Sequence, residues 1–192
     1  MNVLDAIRNR RSIRIFKKDA IPDELIQKLL ETTVLAPSAH NKQPWRFVVL
    51  ENERKDEFVK LLEEVYSGLI ALGEITGSLK RSISCIKRAY AFILVFNAGS
   101  SFRASTYKDK KVYEWILDLQ SIGGAIQTMI LAAHAEGVGT LWTCEILYAD
   151  DQIRAWLNRK DELIGGVCLG YADENPNARS RLKWNDVTEW LR

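Results

Sequence analysis

Along the 192-residue chain, apolar positions recur at helical spacing in some stretches and run together in others. Val3, Leu4 and Ile7 predict a short opening helix. Residues 12–16 then alternate, predicting an extended segment with Ser12, Arg14 and Phe16 on one side. Pro22, Asp23 and Glu24 mark a helix start: proline lacks the amide that would go unpaired, and the acids meet the positive helix end. Leu25, Ile26, Leu29, Leu30 and Val34 give that helix a buried stripe, and Pro37 stops it. RFVVL at 46–50 predicts a strand, and ERKDEFVKLLEEVY an amphipathic helix with Phe58, Leu61, Leu62 and Val65 inward. The weaker pattern at 67–89 is expected as loop and then helix. YAFILVFN at 90–97, rich in aromatic and branched residues, predicts a buried strand, and the polar run at 100–111 a loop.

A long helix is predicted over about 113–136, closed by Gly137 and Gly139. TLWTCEI at 140–146 reads as extended, ADDQIRAWL as a capped helix, and LIGGVCLGYA at 163–172 as a second buried strand. The uncharged span Leu119–Ala135 sits at the short limit of about 17 residues for a membrane crossing. It carries Gln120, Gln127 and His134 and is read as a core helix, with Gly123 and Gly124 admitting a close helix neighbour. The polar tail, about 173–192, contains Trp184, Trp190 and Leu191, which gain nothing from isolation, so it is expected to pack on something. Helices and a few strands alternate irregularly without repeat or linker. This predicts one layered α+β domain over 1–192.

Composition narrows the function. A hydrophobic fraction of 47% beside 27% charged residues is that of a soluble globular protein. The net charge is only +2, so the basic run RNRRSIRIFKK at 8–18 is local, which weakens a nucleic-acid reading that expects a basic face. Cys85, Cys144 and Cys168 lie far apart with no CxxC pair, suggesting reduced thiols in a cytoplasm. Two distant histidines supply too few ligands for a usual zinc site. MNVLDAIRNRR contains no apolar leader core. No membrane or nucleic-acid partner is expected.

Four stretches are candidates for chemistry. Arginine forks around Ser12 suit phosphate, although cations at a helix end are favourable without a ligand. APSAHNKQPWRF at 36–47 offers Asn41 and Gln43, each donor and acceptor, suited to a pyrimidine edge or simply to a helix end feeding a strand. GVGTLWTCEI at 137–146 suits a flat ring beside backbone amides, or a cap before a core strand. Cys144 there has no accompanying base. Arg179 and Arg181 in ARSRL share one side of an extended tail, solvated or paired with the first cluster around one phosphate.

In this order, RRSIRIF, PSAHNKQPWRF, DLQSIGGAIQTMILAAHAEGVGTLW and LGYADENPNARSRL resemble the nitroreductase family of FMN-dependent oxidoreductases, from about residue 4 to 182. The resemblance implies a mixed, mostly antiparallel sheet flanked by helices, in an intertwined homodimer with FMN at the subunit interface. Arg10, Arg11, Ser12 and Arg14 match the family's first cofactor segment. Pro37, Ser38, Ala39, Asn41 and Gln43 match the segment given by the partner subunit. Leu141, Trp142, Thr143 and Cys144 match the segment beside the flavin ring, and Arg179 and Arg181 the phosphate-binding tail pair. The tail is then expected to wrap the partner.

The chemistry implied is ping-pong hydride transfer from NADH or NADPH through flavin N5 to a nitroaromatic, quinone or activated alkene, with no catalytic acid–base pair. Arg14 is the candidate electrostatic stabiliser of the reduced flavin. In the resembling family many members carry glycine where this chain has Glu145, which would add negative charge near the ring if its side chain turns inward. Lys80 and Arg81 lie where relatives bring polar groups to the flavin, without a firm alignment. The alternatives are flavin fragmentation or reductive dehalogenation on the same fold, a non-catalytic flavin-binding protein, and a nucleic-acid module resting on residues 8–18.

Overall fold

The computed structural model describes residues 1–74, 77–99 and 110–192. The first helix, α1, runs Val3–Asn9, and the Asn2 side chain caps it by accepting from the Asp5 amide at 2.9 Å. Such a cap contributes about 1 kcal/mol. Next come α2 (Asp23–Thr33), β1 (Trp45–Leu50), α3 (Asn52–Ala71), α4 (Gly77–Arg88) and β2 (Ala91–Asn97). The remainder is α5 (Lys110–Ala135), β3 (Gly139–Thr143), α6 (Asp150–Trp156) and β4 (Glu162–Gly170). The expected loop at 100–111 falls mostly outside the described residues; α5 already begins at Lys110.

The strands form one sheet in the order β1-β2-β4-β3, antiparallel at each neighbour. The parallel element is a single bridge, Ser12 to Thr140. Strand β2 is buried at every position because both its faces are covered. Phe92, Leu94 and Phe96 join Phe58 and Leu62 of α3 and Leu79 and Ile86 of α4. Ile93 and Val95 join Leu29 of α2 and Ile122, Ile126 and Met129 of α5. The period of two along a strand thus separates two cores, helices above and below the sheet. Phe58 and Phe92 stack with centroids 5.4 Å apart, worth about 0.5–1.5 kcal/mol beyond their burial.

Four expectations need correction. Val34, expected in the buried stripe of α2, sits at the cap just past the helix end and is exposed. Residues 12–16 do not alternate: Ile13 and Phe16 are both in the core while Arg14 is exposed. Isolated bridges at Ser12 and Phe16, not a continuous ladder, hold this segment, so the chain rotates between them. The extended reading of 140–146 stops at Thr143, because Cys144 takes φ −108 and ψ −4 and starts a 3-10 turn over Glu145–Ala149. Among the described residues, nothing lies within 4 Å of a Cβ built at Gly123 or Gly124, so none of the described helices makes the close approach expected there. Val112–Ala135 is long and apolar enough to span a membrane by length and composition. Its Ile122, Ala125, Ile126 and Met129 are fully buried against the sheet, the placement of a core helix.

Candidate functional site

The basic run leaves α1 at Arg10, whose ψ of 134 ends the helix. Two devices then fix its path. The Ile13 amide donates to the Thr140 carbonyl at 2.9 Å, tying the segment to β3, and the Lys17 amide donates to Tyr171 at 2.8 Å. The Asp173 amide donates to the Ile15 carbonyl at 2.9 Å. Glu174 adds its carboxylate, which accepts from the amides of Arg14 and Ile15. Gly139 permits the approach: a Cβ there would sit 3.0 Å from the Gly170 carbonyl and 3.1 Å from the Ile13 side chain. The tail therefore leaves β4 alongside the basic run, although some 160 residues separate them in sequence.

The two segments line one cleft of about 310 Å³, with Arg10, Arg11, Ser12 and Arg14 on one side and Asn177, Arg179 and Arg181 on the other. Among the described residues, none of the five guanidinium groups pairs with a carboxylate. Arg11 donates to the Arg8 and Arg10 carbonyls at 2.8 and 2.9 Å, Arg14 to Ser12 at 3.2 Å, and Arg181 to Ser180 at 3.0 Å. Partial burial, then repulsion by Arg181 and Arg11, lowers the pKa of Arg10. Cations held together at this cost favour an anion between them.

A second cleft, about 230 Å³, adjoins the first, and Arg14 lines both. Leu141, Trp142, Thr143, Cys144 and Glu145 form one wall, and α4 forms the other through Ser78, Arg81, Ser82 and Cys85. Two hydrogen bonds lock the walls together. The hydroxyls of Ser82 and Thr143 lie 2.9 Å apart in a buried pair, and Ser78 donates to the Glu145 carboxylate at 2.8 Å. Joined at Arg14, the clefts make an elongated site, cationic at one end and mixed at the other, where apolar and hydroxyl groups stand with Arg81 and Glu145.

The third predicted group does not reach either cleft of its own chain. Pro37, Ser38, Ala39, Asn41 and Gln43 form the turn between α2 and β1, and Pro37, Asn41 and Gln43 are exposed. His40, Asn41 and Gln43 have φ of 53, 53 and 49, left-handed conformations that cost energy in non-glycine residues and are interrupted by Lys42 at φ −67. It is held by Ser38, whose hydroxyl accepts from the Gln43 amide at 3.0 Å, and by Ser121 of α5, which accepts from the Ala39 amide at 3.2 Å. The loop is therefore a rigid, exposed projection, at whose tip the Gln43 side-chain amide donates to the Asn41 backbone and side-chain oxygens at 3.3 and 3.2 Å.

These positions can be compared with known proteins. The model of the Nitroreductase family matches residues 7–171, most of the chain. The chain belongs to the nitroreductase family. A Methanothermobacter thermautotrophicus protein provisionally named NADH dehydrogenase/NAD(P)H nitroreductase is 31% identical over 183 residues, covering 93% of this chain and 82% of its own length. A Desulfovibrio desulfuricans nitroreductase homologue solved in complex with FMN superposes at a TM-score of 0.76 with 26% identity, covering 100% of this chain and 98% of its own. The Mycobacterium smegmatis FMN-dependent nitroreductase NfnB, solved with NADPH, superposes at a TM-score of 0.74 with 20% identity, covering 98% and 97%, a likeness of fold.

Within this nitroreductase-family chain, the α4 wall is what the sequence motifs left out. The sequence points to Arg81 only by region, to Cys85 only as a dispersed thiol, and to Ser78 and Ser82 not at all. A signal existed: 78, 81, 82 and 85 fall on one helical face, polar or small, within the stretch 67–89 whose apolar pattern is weak.

Proposed function

We propose that this chain is an FMN-dependent NAD(P)H oxidoreductase acting as a homodimer. The observation that carries the reading is the convergence of Arg10, Arg11 and Arg14 with Arg179 and Arg181 on one cleft, continuous through Arg14 with the cleft along Leu141–Glu145. FMN has the matching shape and charge, a dianionic phosphate at one end and a flat ring at the other. The unpaired guanidiniums, and the lowered pKa of Arg10 between them, fit the phosphate. Leu141 and Trp142 supply apolar surface for the ring, and Arg14 and Arg81 supply donors at its edge.

When bound, FMN supplies the two-electron chemistry between a nicotinamide donor and an organic acceptor. The protein residues bind, orient and tune. Arg10, Arg11, Arg179 and Arg181 hold the phosphate end. Arg14, at the junction, places a fixed positive charge where negative charge develops, a preorganised electrostatic contribution. No side-chain nucleophile is required, and Cys144 is assigned to ring contact alone. Donor and acceptor take turns over one open face, which gives ping-pong kinetics. Nitroaromatics, quinones and activated alkenes are the acceptor classes to test.

The dimer follows from what one chain leaves uncovered. The strained projection Pro37–Gln43, with Pro37, Ser38, Ala39, Asn41 and Gln43 as its cofactor-facing residues, is assigned to the cleft of a second copy. Val3, Leu4 and Ile7 of α1, and Leu182, Trp184, Val187, Trp190 and Leu191 of the tail, are all exposed, Leu191 at 89%. Together with the bare Gly123–Gly124 face of α5, they form apolar surface that a partner covers. The tail, about 173–192, is assigned to wrapping that partner.

The test is direct. Purified protein should be yellow, release FMN on denaturation, and lose its oxidised-flavin absorbance when mixed anaerobically with NADH or NADPH in a stopped-flow instrument. Protein that binds FMN but is reduced by neither nicotinamide would make it a flavin carrier instead.

A further inference from the structure

Among the described residues, Glu145 is the one carboxylate lining the cleft that also holds Arg14 and Arg81. Its position is fixed on both sides. It opens the 3-10 turn that follows β3, so its backbone is set by the end of that strand. Its Oε2 accepts from the Ser78 hydroxyl at 2.8 Å, and Ser78 lies in the first turn of α4, where the helix end favours a negative charge. Among the described residues it forms no ion pair, so neither arginine neutralises it directly. The cleft therefore presents a tethered negative charge beside its two positive ones.

We propose that Glu145 tunes the reduction potential of the bound cofactor, setting how readily this protein surrenders electrons to an acceptor. The inference rests on the FMN reading above. Oxidised FMN has a neutral ring, whereas the two-electron-reduced ring carries negative charge near neutral pH. A carboxylate in the ring cleft discriminates between them: it repels the reduced form and leaves the oxidised form little affected. Arg14 and Arg81 act in the opposite sense. Glu145 thus partly offsets the two arginines and keeps the reduced protein a stronger donor than their charges alone would make it. Ser78 is the positioning residue that holds the carboxylate in the cleft.

The substitution Glu145→Gln is suited to the test because the amide oxygen can still accept from Ser78, so the charge is removed while the tether is kept. Two quantities are measured on the FMN-loaded dimer: the midpoint potential by dye equilibration, and the dissociation constant of oxidised FMN from apoprotein. The substitution is expected to leave the second within about twofold and to strengthen binding of reduced FMN about tenfold. A tenfold change in that ratio appears as an upward shift of about 30 mV for a two-electron couple. Ser78→Ala, which keeps the charge, is expected to move the potential by clearly less. An unchanged potential in a Glu145→Gln protein that binds FMN normally overturns the tuning role and leaves the functional reading standing. A Ser78→Ala shift as large as that of Glu145→Gln also overturns it, because the effect would then be structural. Failure of the unsubstituted protein to bind FMN overturns the functional reading and this inference together.

Discussion

At the scale of single residues, the arginines carry the account. Each guanidinium bonded to a phosphate contributes about 1.5–3 kcal/mol as a charge-assisted hydrogen bond. Arg179 and Arg181 reach their cleft from a tail that contacts little else of its own chain, so replacing them disturbs no core packing. Replacing both by alanine should weaken FMN binding at least about tenfold, the equivalent of about 1.4 kcal/mol, with thermal unfolding of the apoprotein nearly unchanged. Flavin content after exhaustive dialysis is the readout, and full retention would contradict their role. These arginines were legible in the sequence because charge crowding is visible without coordinates. Arg81 was not, because one arginine on an amphipathic helix looks the same whether it faces solvent or a cleft.

At the scale of elements, helix and strand identities followed the apolar spacing, and the errors lie where tertiary contacts override local pattern. Residues 12–16 look like a strand, but Ile13 and Phe16 both enter the core, because the segment is pinned at its ends by Thr140 and by Tyr171 and Ala172. The turn after Thr143 was hidden because Cys144, Glu145 and Ile146 have nothing in their composition that ends a strand. The sheet itself depends on close fit at β4. A Cβ at Gly166 would overlap the ring of Phe92, which is fully buried. Gly166→Ala should therefore destabilise the fold by about 1–3 kcal/mol, as overpacking of a dense core does. A urea melt measures this, and an unchanged midpoint would show that β2 and β4 are more loosely packed than their geometry indicates.

At the scale of the whole molecule, one chain supplies both clefts but does not bring its own projection at 37–43 to either. The family resemblance assigned that loop to a partner subunit. Its strained, exposed conformation is consistent with a role outside its own chain, since left-handed non-glycine residues persist only where surrounding structure enforces them. Sedimentation of the flavin-loaded protein should give a dimer, and conditions that separate the subunits should release flavin in parallel. A flavin-loaded monomer would contradict the shared site. The partner surface is only partly legible in the sequence: tryptophans in a polar tail point to it, whereas the Gly123–Gly124 face shows only in the fold, where no described atom lies within 4 Å of a Cβ built at either glycine.

The most direct test of the convergent arginine cleft is the ratio of FMN to riboflavin affinity, because the two ligands differ only in the phosphate. Titration of apoprotein should show FMN binding at least about a hundredfold more tightly than riboflavin, with the ratio falling at least about tenfold when Arg10 and Arg181 are replaced by alanine. Equal affinities in the unsubstituted protein, or a ratio that ignores the two substitutions, would mean that the five guanidiniums do not meet on one phosphate.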